Sequence, residues 1–147
     1  MIQDDFMEIE KIKEILNKRN LTYKINEGHD SKTDEPFVYI EIPSKNPRVY
    51  IDLADENTLY FGDWHSHFNP DCDDDIEEFY LFLENILDNK ICAVGSFQND
   101  GSEENWCSSS IEEKENLCME FLKEEFGLNR IIKCNFFDES LNQSYLT

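Results

Sequence analysis

The distribution of charge constrains this chain more than any other feature. Its 147 residues carry 33 acidic and 13 basic side chains, a net charge of −20. Residues 1–50 hold 10 acids and 8 bases, whereas residues 51–147 hold 23 acids and 5 bases, or −18 of the total. A stretch so charged folds only if apolar side chains make a core and the carboxylates stay in water, because an unpaired buried charge is costly. Eleven Phe, six Tyr and two Trp can make that core, each ring burying a large apolar area. Acidic disordered chains are poor in such rings, so the composition points to a folded protein. The length suits one domain that buries about 70% of its unfolded surface.

The same charge bears on partners. A negative field repels nucleic acid and anionic membrane surfaces and draws in cationic macromolecules. No basic segment followed by an apolar run opens the chain at Met1-Ile-Gln-Asp-Asp5, and no stretch nears the ~18 apolar residues of a membrane span. A cytoplasmic protein without membrane contact is expected. The five cysteines, Cys72, Cys92, Cys107, Cys118 and Cys134, contain no C-x-x-C pair. Reduced thiols fit this best, with Cys92, Cys118 and Cys134 as small core residues.

Apolar periodicity sets the expected elements. Phe6, Ile9, Ile12, Ile15 and Leu16 recur at three- and four-residue spacing, which predicts a helix from about Asp4 to Arg19, with Asn20 as its stop. Strand-like runs follow at 21–26, 37–42, 48–53 and 58–62. In the third, Val49, Ile51 and Leu53 alternate with Tyr50 and Asp52; in the fourth, Leu59 and Phe61 alternate with Thr58 and Tyr60. That is the pattern of half-buried strands in an antiparallel meander. Ile76, Phe79, Tyr80, Leu83 and Leu87 form the stripe of a second helix, preceded by the cap-competent acids Asp73, Asp74 and Asp75. A buried strand is expected at 91–97, a turn at 98–102 and a short strand around Trp106. Ser110 and Glu113 have capping-box spacing for a third helix, which Gly127 would end. A last strand at 130–137 and a frayed tail at 139–147 complete the reading. The expected fold is a single α+β domain, a mainly antiparallel sheet with about three helices on one face.

The most chemically suggestive stretch runs from Tyr60 to Asp71 and contains Asp63, Trp64, His65, Ser66 and His67. If the strand continues past Gly62, Asp63, His65 and His67 share a face, and two imidazoles so placed can present two nitrogens to zinc. Asp71, Cys72 or Asp73 would be the third ligand. The string Trp64-His65-Ser66-His67 resembles the His-Ser-His core of the JAB/MPN metalloproteases. That family follows the second His with Pro, then with Ser and Asp ligands. Here Phe68, Ile76 and Phe79 stand at those positions, so the catalytic constellation is broken. No G-x-S-x-G elbow, Walker loop, dinucleotide fingerprint or H-E-x-x-H occurs. The acids around Cys72 would suppress its thiolate, and Asp71–Asp75 lacks the spacing and Gly of a calcium loop.

Residues 71–88 hold eight acids and no base, and Glu77, Glu78, Glu84 and Asp88 fall off the helical stripe. The run from Val49 to Leu53 and on through Tyr60-Phe-Gly-Asp-Trp-His-Ser-His-Phe68, with the chain's size and acidity, resembles the immunity proteins of bacterial polymorphic and contact-dependent toxin systems. That resemblance implies no catalysis, no cofactor or metal, and one cationic partner, a cognate toxin such as a nuclease. It also implies contacts through an acidic face with aromatic anchors. The expected partner-binding residues are Asp63, Trp64, His65, His67, Asp71, Asp73, Asp74, Asp75, Glu77, Glu78 and Trp106. Two alternatives stay open: a small metal-dependent hydrolase using His65 and His67, and a DNA mimic whose carboxylates imitate phosphates.

Overall fold

A computed structural model describes residues 2–29, 31–43, 49–54, 56–99 and 106–147, without the side chains of 2–8 and 106–109. Helix α1 (Ile2–Lys18) buries Ile9, Ile12, Ile15 and Leu16, the stripe its spacing predicts. Asn20 ends it by taking a left-handed φ of 56°. The Leu21 N–H donates to the Leu16 carbonyl (3.1 Å) and that of Asn20 to the Asn17 carbonyl (3.0 Å). This pair of bonds is a Schellman motif, which satisfies carbonyls the helix leaves open.

Among the described residues, five strands follow in a plain meander: β1 (Lys24–His29), β2 (Pro36–Ile42), β3 (Val49–Leu53), β4 (Asn57–Phe61) and β5 (Trp64–Phe68). The β2–β3 register pairs Ile40 with Ile51 and Tyr39 with Asp52. One face of the sheet therefore carries Ile40, Ile42, Val49, Ile51, Leu53, Leu59 and Phe61, all buried. The strand does not continue past Gly62 but turns back there. Gly62 takes φ 61° as the first of two loop residues, the glycine position of a type II′ hairpin.

Helix α2 (Asp73–Leu87) buries Phe79, Tyr80, Leu83, Ile86 and Leu87, with three acids in its first turn where the helix dipole favours them. Phe68 of β5 packs edge-on against Phe79, ring centroids 5.4 Å apart. Asn89 repeats the left-handed stop of Asn20, at φ 60°, and its N–H donates to Ile86 while that of Lys90 donates to Asn85.

The remaining strands form a second antiparallel sheet in the order β7-β6-β8-β9, from β6 (Ile91–Gln98), β7 (Trp106–Glu113), β8 (Arg130–Asn135) and β9 (Gln143–Leu146). Cys92, Val94, Ile132, Cys134 and Phe136 build its core with Leu122 of α3 (Met119–Phe126). The chain divides into two compact units: the first holds most of the five-stranded sheet and α2 as far as Glu84, and the second holds the second sheet and α3, with Phe61–Trp64 grouped with it.

Among the described residues the α+β class, the antiparallel pairing and the three α-helices are as expected, although the strands make two sheets rather than one. Ser110 and Glu113 do not cap a helix. They lie in β7, paired with Val94 and Ile91 of β6, and α3 begins only at Met119. Ser108, Ser109 and Ser110 compete with helical backbone bonds and Ile111 is β-branched, so the segment is a weak helix former that pairing with β6 takes into a strand. Gly127 does end α3, at φ 90°. Residues 139–147 are no frayed tail: Glu139–Leu141 form a 3₁₀ turn and β9 pairs with β8 from Ile131 to Cys134. The Thr147 N–H donates to the Arg130 carbonyl at 2.9 Å, and the Arg130 N–H to Thr147 Oγ1 at 2.9 Å. Cys92 and Cys134 are buried thiols as expected, but Cys118 is exposed ahead of α3. The turn expected at 98–102 falls mostly on residues outside those described.

Candidate partner-binding surface

The hairpin at Gly62 decides how the His-Ser-His stretch is presented. A two-residue loop between Phe61 and Trp64 sets Tyr60 opposite His65 and Thr58 opposite His67. Side-chain contacts match that register: the Tyr60 and His65 rings stack at 5.4 Å, and Thr58 Oγ1 lies 2.9 Å from His67 Nδ1. His65 and His67 do share one exposed face, their rings edge-on at 5.3 Å. Trp64 alternates to the other side of the strand with Phe68, so the structure separates it from the two imidazoles. Asp63 is exposed in the loop.

His67 Nδ1 is also 3.2 Å from Glu56 Oε2. A carboxylate only accepts, so a proton on Nδ1 serves Glu56 and leaves Thr58 Oγ1 as a second acceptor. Among the described residues, no group of three or more His, Cys, Asp and Glu side chains is placed to hold a metal ion. The hydrolase reading therefore lacks a third ligand beside the imidazoles there.

The acids at the start of α2 divide into two kinds. Asp75 has a local duty, because its Oδ2 accepts the Asn69 N–H at 2.8 Å and clamps the entry to the helix. Asn69 Oδ1 in turn accepts the Asp71 N–H at 2.9 Å, an Asx turn. Asp73, Asp74, Glu77 and Glu78 are exposed as a row of carboxylates on the solvent side of α2, and Asp71 is exposed just ahead of the helix. The side chain of Trp106 lies outside the described residues.

The open face of the five-stranded sheet carries a feature that no single segment of the sequence announces. Phe37 and Tyr39 of β2, Tyr50 of β3, Tyr60 of β4, and His65 and His67 of β5 form one continuous row of rings. Successive centroids are 4.8, 5.5, 5.2, 5.4 and 5.3 Å apart. Neighbouring strands lie about 4.8 Å apart, so aromatic residues at same-face positions of successive strands must touch. The row continues to β1, where Phe37 leans over Gly28; a Cβ there would stand 2.7 Å from the ring. Glycine leaves room for the ring to cover the backbone.

Carboxylates punctuate this row. Asp52 faces Tyr39 across β2–β3, and Glu41 faces Tyr50. Glu41 also lies opposite Lys24 of β1. Asp52 has Tyr39 rather than a base opposite it on β2, and its Oδ1 is buried without a hydrogen-bond partner among the described residues. Burial pushes the Asp52 carboxyl up from its usual value. The Tyr50 phenol is also raised, first by burial and then by the negative surroundings of Tyr39, Asp52, Tyr60 and Glu41. The outward positions of β2, β3 and β4 were legible in the alternation, but they look like any solvent face until the strands are paired.

In the second unit, Cys92 donates its thiol to the Glu112 carbonyl at 3.7 Å. Its side-chain hydrogen bond with the Cys134 thiol and its burial push the Cys92 thiol up, so it stays protonated.

No family model matches the chain, and neither a curated protein nor a solved structure is similar enough to count as a match. What the fold and the surface define is an α+β protein of two antiparallel sheets, one of which bears an aromatic and acidic open face.

Proposed function

We propose that this chain is a non-catalytic binding protein that neutralises a cationic partner, in the manner of an immunity protein blocking a cognate bacterial toxin. The observation that carries the reading is the concentration of −18 in residues 51–147, with Asp71, Asp73, Asp74, Glu77 and Glu78 exposed along the start of α2. A field of that sign steers a basic surface into contact and speeds encounter. A nuclease, whose substrate cleft is basic, is the toxin class that the charge favours. The test is to purify the product of the reading frame next to the one encoding this chain and titrate it with this protein. The expected result is a stoichiometric complex in which the neighbour's activity is lost. A basic, active neighbour that is neither bound nor inhibited would contradict the proposal.

A further inference from the structure

We infer that the ring row of the five-stranded sheet is the docking site for an arginine side chain of that cationic partner, which lies on Tyr50 and Tyr60 and donates to Asp52. The inference rests on the proposed binding function and names where and by what chemistry the partner is held.

Three observations converge on one spot. The rings of Tyr39, Tyr50 and Tyr60 make a half-exposed platform three strands wide. Ring faces attract cations, and a planar guanidinium stacks on them better than a compact ammonium does. Asp52 sits on the same face as Tyr50 and directly across from Tyr39. Its Oδ1 is short of a donor, whereas Glu41 has Lys24 opposite it and Glu56 contacts His67. A guanidinium brings several N–H donors in a fixed fork. Asp52 as a whole is half-buried, so one guanidinium on the platform meets both the ring faces and the solvent-facing side of this carboxylate, which a lysine does less completely. Tyrosine-rich centres rimmed by polar residues are also where binding energy concentrates in protein interfaces.

The charge of the α2 row and the ring platform make separable contributions. The row attracts any polycation; the platform discriminates between cations. A hexa-arginine and a hexa-lysine peptide distinguish them, with affinity measured by calorimetry on the full chain. The expected result is that hexa-arginine binds several-fold more tightly than hexa-lysine. Tyr50→Leu and, separately, Asp52→Asn should each weaken hexa-arginine by about tenfold and leave hexa-lysine nearly unchanged. Hexa-arginine should also shift the ring resonances of Tyr39, Tyr50 and Tyr60. Asp52→Asn keeps the side-chain shape, so it decides the question if Tyr50→Leu does not fold. Equal affinity for both peptides, or no effect of Asp52→Asn, would overturn the docking site. If Asp73→Lys, Asp74→Lys, Glu77→Lys and Glu78→Lys together then abolish peptide binding, the proposed function survives without this site. If neither peptide binds the native protein, both fail.

Discussion

Asp52→Asn is the substitution in which stability and binding should move in opposite directions. In the native protein one carboxylate oxygen is buried on the sheet with no donor among the described residues. An unsatisfied buried polar group costs about 1–3 kcal/mol. Because Asp52 as a whole is only half-buried, water screens part of this, leaving roughly 1 kcal/mol at neutral pH. Asparagine keeps the shape and removes the charge, so it should raise the melting temperature by about 3 °C for a chain of this size. The sign with pH follows from the raised carboxyl. A carboxyl whose folded value is raised favours the folded state below its unfolded value and loses that contribution as pH rises through the folded value. The variant and the native protein should therefore be about equally stable below about pH 3.5, and the gap should open as pH rises. Tyr39 faces Asp52, with Tyr50 and Glu41 beside it, and all three are common to both proteins. Urea unfolding followed by circular dichroism at several pH values measures the gap. A variant less stable than the native protein at neutral pH, or a gap independent of pH, would refute the reasoning.

Removal of residues 138–147 should lower stability by roughly 3 kcal/mol in the same assay, because it takes Leu141 and Tyr145 off the second core and strips β8 of its edge partner; an unchanged urea midpoint would mean the segment is not docked. The two left-handed asparagines should respond differently to glycine. Asn20→Gly should change stability by no more than about 0.5 kcal/mol, since both residues tolerate that φ. Asn89→Gly should cost about 1 kcal/mol, because Asn89 Oδ1 accepts the Asp138 N–H at 2.8 Å; equal effects at both sites would contradict this.

Local signals were legible where one residue type determines one geometry. The stripes of α1 and α2, the stop at Asn20, the end of α3 at Gly127 and the alternation in β3 and β4 could all be read from the chain. What could not be read depended on partners distant in sequence. Ser110 and Glu113 carry a capping-box spacing that suits a helix in isolation, but pairing with β6 claims their backbone for a strand. The polar segment Gln143–Leu146 has too little apolar pattern to announce itself, and becomes a strand because β8 offers an open edge. The candidate site shows the same limit. His65 and His67 were placed on one face by their spacing, whereas the ring row needed the register of four strands. Asp52, an ordinary solvent-facing acid in the alternation, becomes distinctive only once its neighbours are known.

Whether acidity recruits the partner is tested most directly by association kinetics with the product of the neighbouring reading frame across a salt titration. Steered encounter predicts a fast rate that falls steeply with ionic strength, and a slower, flatter profile when Asp73, Asp74, Glu77 and Glu78 are all changed to Lys. Superimposable profiles for the native and reversed proteins would contradict the account.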